Sequence, residues 1–330
     1  MRRQKRNIRR IVVLKSSNLI NLGTMKMTKI ILYTLFIVFG VFSAKAQQDL
    51  LLSQEIFSRV NKNPAATGNT EDIDIFLHGR MQWVGIENSP RTGVLNVTNY
   101  IDRFRSGVGL SCSYDKMGVA HSTTNLKLVY SYHLDLSDKY LLSLGLGAGA
   151  NIGYFDPYQN TIDDESEFGD GTLPVGEETK VSPDFDFGLE LSNPFWTVGA
   201  SITHLTKNEM TTFEPERHYY LYVTSLVPLV EKWELAPTAS YMHRSKTDVL
   251  ELGSLAFYDR FLWGGLTLRP DVHEGFDPSM LVVTLGVEWK KIRFGYSYDW
   301  GFGSNERLSS STHEIILSYG IDKREWKKSK

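Results

Sequence analysis

Among the 330 residues there is a single cysteine, Cys112, so no internal disulfide can brace the chain. After residue 46 no run reaches 18 consecutive apolar residues, which excludes helical membrane spans from that part of the chain. Catalytic signatures are missing as well. There is no Gly-x-Ser-x-Gly and no His-Glu-x-x-His, and the eight histidines (78, 121, 133, 204, 218, 243, 273 and 313) are scattered singly without ligand spacing. An Asp, His and Ser set is assembled only by arbitrary choice, so no catalytic residue, no metal site and no cofactor is assigned. Gly145-Leu146-Gly147-Ala148-Gly149 lacks the third glycine spacing of a dinucleotide turn and no helix pattern follows it. Small inward-facing residues on a strand explain it better.

Basic charge is also scarce once the N-terminus is set aside. Residues 1–46 hold ten Lys or Arg and no acid, leaving 26 basic residues against 38 acidic ones, a net charge of −12, which disfavours nucleic acid as a partner. Within that N-terminus, Lys26 and Lys29 precede an apolar run from Ile30 to Phe42, and Ala44-Lys45-Ala46 ends it with small residues spaced for a signal peptidase. Residues 25–46 are therefore read as a cleaved secretory signal, with Gln47 as the first mature residue. The Arg-rich stretch 1–24 is read as a start-site artefact or an extended n-region. Because Gln and not Cys follows the cleavage site, no lipoprotein acceptor is present, and the chain must reach a membrane through its own fold.

What remains has period two. Leu126, Leu128, Tyr130, Tyr132, Leu134 and Leu136 share one face, opposite Asn125, Lys127, Ser131, His133 and Asp135, with Val129 the one exception. Leu142 to Tyr154, Phe185 to Leu191 and Ile292 to Trp300 alternate likewise. Several segments reach the 9 to 11 residues or so that a tilted membrane strand needs, beyond the 5 or 6 usual in soluble sheets. The fold class is all-β: a transmembrane antiparallel barrel of about 14 strands in the outer membrane, multi-pass, spanning 72–321. Strands are expected to start near Asp72, Val94, Gly107, Thr124, Tyr140, Pro183, Phe195, Arg217, Leu235, Asp248, Phe261, Met280, Ile292 and Ser310. An even number puts both ends in the periplasm, with short turns there and longer loops outside. Residues 47–71 are expected to be a periplasmic N-terminal segment and 322–330 a basic tail. Cys112 falls in the lipid-facing register with Val108, Leu110 and Tyr114. Trp83, Trp196, Trp233, Trp263, Trp289 and Trp300 lie near strand ends and are assigned to an interfacial aromatic girdle.

The longest connection, Phe155 to Ser182, is the candidate partner-binding loop. Asp163, Asp164, Glu165, Glu167 and Asp170 give it a run of carboxylates, while Tyr158 and Phe168 supply apolar anchors that a purely solvated loop does not need. The carboxylates do not match the EF-hand spacing, so a solvated acidic loop is preferred over a calcium site.

Behind the signal, Gln48-Asp49, Ser53-Gln54 and Phe57 lead into Asn63-Pro64-Ala65-Ala66-Thr67-Gly68. Gln82-Trp83-Val84-Gly85 then follows, with Pro90 and Thr92. Further on stand Gly107-Val108-Gly109-Leu110, Asp115, Gly118 and His313-Glu314-Ile315. In this order the residues resemble the PorP/SprF family, over about residues 47–321. The resemblance implies a non-enzymatic outer-membrane component of the type IX secretion system. Its expected partners are a secreted surface adhesin, of the gliding type among others, further secretion components and outer-membrane lipid. A small-solute outer-membrane channel is the alternative. The signal reading carries its own test: N-terminal sequencing of protein recovered from the outer-membrane fraction is expected to begin at Gln47, and recovery with Met1 or Met25 retained contradicts it.

Overall fold

The computed structural model describes residues 52–70, 73–156, 177–206, 216–245, 247–272, 276–302 and 311–321. The signal, the stretch before it, the basic tail and the candidate loop residues Tyr158 to Asp170 lie outside the described residues.

Fourteen strands follow one another around a single sheet: β1 Ile73–Met81, β2 Arg91–Ile101, β3 Ser106–Met117, β4 His121–Asp135, β5 Leu141–Phe155, β6 Glu178–Ser192, β7 Trp196–Thr203, β8 His218–Ser225, β9 Trp233–Arg244, β10 Thr247–Tyr258, β11 Leu262–Asp271, β12 Asp277–Trp289, β13 Ile292–Gly301 and β14 Thr312–Ile321. A two-residue stretch, Val227–Pro228, carries β8 on past Leu226 against the start of β9. Every neighbour pair is antiparallel, and β1 pairs with both β2 and β14. The sheet is thus a closed barrel without a free edge, which is what lipid demands of backbone N–H and C=O groups that have no water to bond.

Side chains alternate as the sequence requires, but inside out relative to a soluble protein. Along β4, Leu128 is 70% exposed on the outer face while its neighbour Lys127 is 6% exposed inside. Tyr130, Tyr132 and Leu134 continue the outer face, and Ser131 and His133 the inner one. Val129, the exception in the pattern, sits in the lumen against the open backbone of Gly109. On β3, Cys112 takes the outer register, paired across to Leu95 and Leu126, while Ser111 points inward to Asn61.

All strands but one start within three residues of the positions expected from the sequence. The exception is β6, which begins at Glu178, five residues before Pro183, so the longest connection is shorter than Phe155 to Ser182. Pro183 lies in the part of β6 toward the longer connections, the end expected to face outward and hereafter the outer end, where β5 runs alongside but the β7 ladder covers only Phe187–Ser192. A strand with one ladder there accommodates the missing N–H.

Two expectations need correcting. Trp263 is not in the girdle. It is 1% exposed, turned inward, with its ring lying where a Cβ on Gly286 would stand. Its position one residue into β11 sets that register, and the lumen there is a packed core of Phe76, Leu255, Trp263 and Ile316. Trp233, Trp289 and Trp300 do project outward at strand ends. The second correction concerns residues 47–71, whose described part, 52–70, runs inside the barrel and not below it.

The inverted faces predict a contrast between neighbours on β5. Leu146→Arg puts a guanidinium on the outer face and is expected to cost about 2 to 4 kcal/mol near the midplane. At Gly147 the atoms nearest an added Cβ belong to the Asp186 side chain, 3.0 to 3.3 Å away, so Gly147→Ala asks a slight shift of that side chain and is expected to fold far better than Leu146→Arg. Heat-modifiable mobility in SDS gels reads both; equal folded fractions for Leu146→Arg and wild type would reject the register.

Candidate functional site

The site is the occupied lumen. Residues 52–70 fold into it as a string of tight turns, with Phe57 and Ser58 N–H groups donating to the Gln54 and Glu55 carbonyls and Lys62 and Asn63 N–H groups to that of Arg59. One turn of 3-10 helix follows, Pro64–Ala66. Asn63 caps it: its side-chain oxygen accepts from the Ala65 N–H at 2.9 Å, and Pro64 supplies a preset φ where no N–H is needed. The Asn63 amide donates onward to the Leu189 carbonyl (2.9 Å) and the Tyr222 hydroxyl (3.0 Å), so a side chain with no exposed surface is satisfied at both ends.

The wall is shaped for this turn by what it omits. A Cβ at Gly145 on β5 would stand 2.0 Å from the Ala65 nitrogen, one at Gly107 on β3 would stand 2.0 Å from the Thr67 oxygen, and one at Gly188 on β6 would stand 1.9 Å from Asn63 Oδ1. These glycines let two backbones approach where any side chain would block them. Gly68 closes the turn at φ +74, a conformation that favours glycine, against the Gly107 backbone.

Charge holds the segment at three levels. Arg59 donates to both carboxylate oxygens of Glu190 on β6 (3.1 and 3.2 Å), and the same carboxylate accepts from Asn69 (2.6 Å) and from the Tyr222 hydroxyl (2.5 Å). Lys62 pairs with Glu55 in its own segment and with Glu251 on β10 (3.5 Å), and donates to Ser240 on β9 (3.2 Å). Toward the outer end, Ser53 donates its N–H and hydroxyl to Glu314 on β14 (2.8 and 2.7 Å). Glu314 also bonds His78 and Arg80 of β1, while Arg80 and Arg269 share Asp299 (3.0 and 2.9 Å) and Arg269 reaches Glu251 (2.6 Å). Such pairs are stable only because each buried charge has its partner; removing one side typically costs about 3 to 5 kcal/mol.

The filling is uneven. Beside the segment, a cavity of about 120 Å³ lies in the outer half of the lumen against β3 to β9, lined mostly by polar side chains, Ser111, Asn125, Lys127, Asp186 and His218 among them, but also by Met117 and Val129, with Val60 and Asn61 of the segment facing it. Its charges are largely spoken for: Lys127 bridges Asp184 (2.9 Å) and Asp186 (2.7 Å), and His204 Nδ1 lies 2.7 Å from Asp184. No cluster suited to a metal ion is found among the described residues.

The motif residues singled out in the sequence fall into two places. Asn63, Pro64, Ala65 and Gly68 form the seated turn. Gln82, Trp83 and Gly85 lie far from it, in the β1–β2 connection, where Trp83 and Gly85 take positive φ (51 and 105) and the Val84 N–H donates to the Ser311 carbonyl beside β14. Pattern reading missed Arg59, Glu190, Tyr222, Glu251, Arg269 and Asp299. The available signal was their inward register, in particular the alternating Asp184, Asp186 and Glu190, but not who faces them. The glycine seat predicts that Gly145→Ala lowers the unfolding free energy by roughly 1 to 3 kcal/mol through overpacking, read as a lower unfolding midpoint in urea. Gly79→Ala, with open space around its Cβ, is expected to leave the midpoint unchanged.

A family model described as type IX secretion system membrane protein PorP/SprF matches residues 44–319. No curated protein matches the chain. Among solved structures, the chain is similar to the Ralstonia pickettii toluene transporter TbuX (10% identity, 79% of this chain and 92% of that one, TM-score 0.49). It is similar also to the Pseudomonas putida toluene transporter TodX (10% identity, 85% and 96%, TM-score 0.47) and to a Pseudomonas aeruginosa FadL homologue (11% identity, 78% and 91%, TM-score 0.43). Those likenesses carry nothing about what this lumen binds. With the family match spanning nearly the whole barrel, the chain belongs to the PorP/SprF family of type IX secretion system membrane proteins and is a multi-pass protein of the outer membrane.

Proposed function

We propose that this barrel is a non-enzymatic docking component of the type IX secretion system that assists the export or surface attachment of adhesins, including adhesins of gliding motility. The observation that carries the reading is the occupied lumen. A segment fixed to the wall by Arg59–Glu190, Lys62–Glu251 and Ser53–Glu314 occupies the lumen, which supports a membrane platform over an open diffusion pore. Work on a partner then falls to the ends of the barrel. On the outer end the connection between β5 and β6 is the candidate contact, with Tyr158 and Phe168 as anchors and Asp163, Asp164, Glu165, Glu167 and Asp170 favouring a basic partner surface.

The competing small-solute channel has one observation in its favour, the polar cavity of the outer half, but that cavity meets the segment at Val60 and Asn61. The two readings separate in one set of measurements. Purified wild-type protein in planar bilayers is expected to show no ion current, and pull-down from detergent-solubilised outer membranes is expected to bring a surface protein with it. Deleting residues 160–177 is expected to leave the barrel folded and lower adhesin display, and Ser166→Cys to be labelled on intact cells by a membrane-impermeant maleimide. Steady current from wild type with no co-purifying surface protein would favour the channel.

A further inference from the structure

The two sides of the lumen are held in different ways. Toward β1 and β10 to β14 the segment is tied at Ser53–Glu314 and Lys62–Glu251 and is also packed against an apolar core: Phe57 lies against Trp263 and Phe257 (ring centroids 4.7 and 6.2 Å), with Phe76, Leu255 and Ile316 behind. Toward β3 to β8 its contacts are small residues on glycines and polar groups. There the outer half is the polar cavity, and the inner half is closed by the Asn63–Gly68 turn, with the Ser131 hydroxyl donating to the Thr67 carbonyl at 2.6 Å.

The charges on the wall differ in the same way. Glu314 and Asp299 have Arg80 and Arg269 as strand-borne cations, Glu251 has Arg269, and Asp184 and Asp186 have Lys127. All of these pairs survive if the segment moves. Glu190 is the exception. Among the described residues its cationic partner is Arg59 of the segment, and its remaining bonds come from Asn69, also of the segment, and from the neutral Tyr222 hydroxyl. Withdrawing the segment from this side therefore strands the Glu190 carboxylate, while the pairs Arg80–Glu314, Arg269–Asp299 and Lys127–Asp186 stay within the wall.

From this asymmetry we infer that the β3 to β8 side of the lumen is a latent passage for ions and small hydrophilic solutes, continuous with the outer cavity and shut at its inner end by the Asn63–Gly68 turn, with Arg59–Glu190 as the latch. The lining fits that class: hydroxyls and amides from Ser111, Ser113, Thr123, Asn125, Asn151 and Thr203, and charges paired with one another. The apolar side stays packed and acts as the anchor about which the turn swings. The inference rests on the closed-lumen reading above and adds where the closure gives way.

Single-channel recording tests it on the full mature protein, with folding checked for each variant by heat-modifiable mobility. Arg59→Met, Glu190→Gln and the double variant are expected to give discrete current steps in potassium chloride where wild type is silent. Phe57→Ala, on the anchoring side, is expected to stay silent. Folded latch variants that remain silent overturn the inference while leaving the docking function standing. Current from Phe57→Ala equal to that of the latch variants overturns the assignment of sides. Wild type that conducts unaided overturns both this inference and the closed-lumen reading. Should the latch variants fail to fold, urea perfused on the periplasmic side of wild type is expected to produce reversible current steps before the barrel is lost, and their absence at every concentration overturns the inference.

Discussion

A strand in hydrocarbon can leave no backbone donor or acceptor unpaired, and every other feature of this molecule follows from that constraint. It requires β1 to find β14, which closes the sheet. Closure with alternating side chains sends Leu126, Leu128 and Tyr130 out to lipid and Lys127, Ser131 and His133 in. The inward set then bounds a space that cannot be dry and empty, because buried charges such as Glu190, Asp299 and Glu314 need partners. Segment 52–70 supplies part of those partners and part of the volume. The filled lumen is therefore a consequence of the barrel's wall chemistry as much as of the sequence that fills it.

The filler is held by complementarity of shape and of charge in separate places. Shape is set by omission, in Gly107, Gly145 and Gly188, whose missing Cβ atoms let the turn lie directly on the wall. A polar network adds direction: Asn63 ties its own turn to the Leu189 carbonyl and Tyr222, and Tyr222 passes the connection to Glu190 and so to Arg59. A buried network of this kind adds little net stability over an apolar one of equal volume, yet it tolerates only one arrangement, since each misplacement leaves a charge or an amide unsatisfied. Precision of seating, more than strength, is what these residues contribute.

How far the fold could be read from the chain depended on the distance over which each signal acts. Period-two alternation is local, so the strands, their outward faces and the inward register of Asp184, Asp186 and Glu190 were legible. Pro183 misled because proline reads locally as a strand start, and only the absence of a β7 ladder beside it explains its place inside β6. Trp263 misled because nothing next to it in sequence says that Phe57, 206 positions earlier, lies across the lumen. The seated turn shows the same limit: Asn63-Pro64-Ala65 announced itself as a motif, but Arg59 and Glu190 are 131 residues apart and meet only once the barrel has closed. A segment written before the first strand looks like a leader to the barrel until the pairing of β1 with β14 puts a wall around it.

That placement has a bearing on how such a protein is used. Both ends of the barrel are built on the strands that close it, and the segment is joined to β1 at its last residues while its first described residues reach Glu314 on β14. The seam of the barrel and the fastening of its filler therefore share the same pair of strands. Arg80 on β1 and Glu314 on β14 are bonded to each other across the seam, and Ser53 adds to that bond from within. Arg59–Glu190, by contrast, ties the segment to β6, across the lumen from that seam. If Arg59–Glu190 is the latch inferred above, strand closure and lumen closure are separable: one is secured by backbone ladders and the Arg80–Glu314 pair, the other by a side-chain contact on the opposite wall.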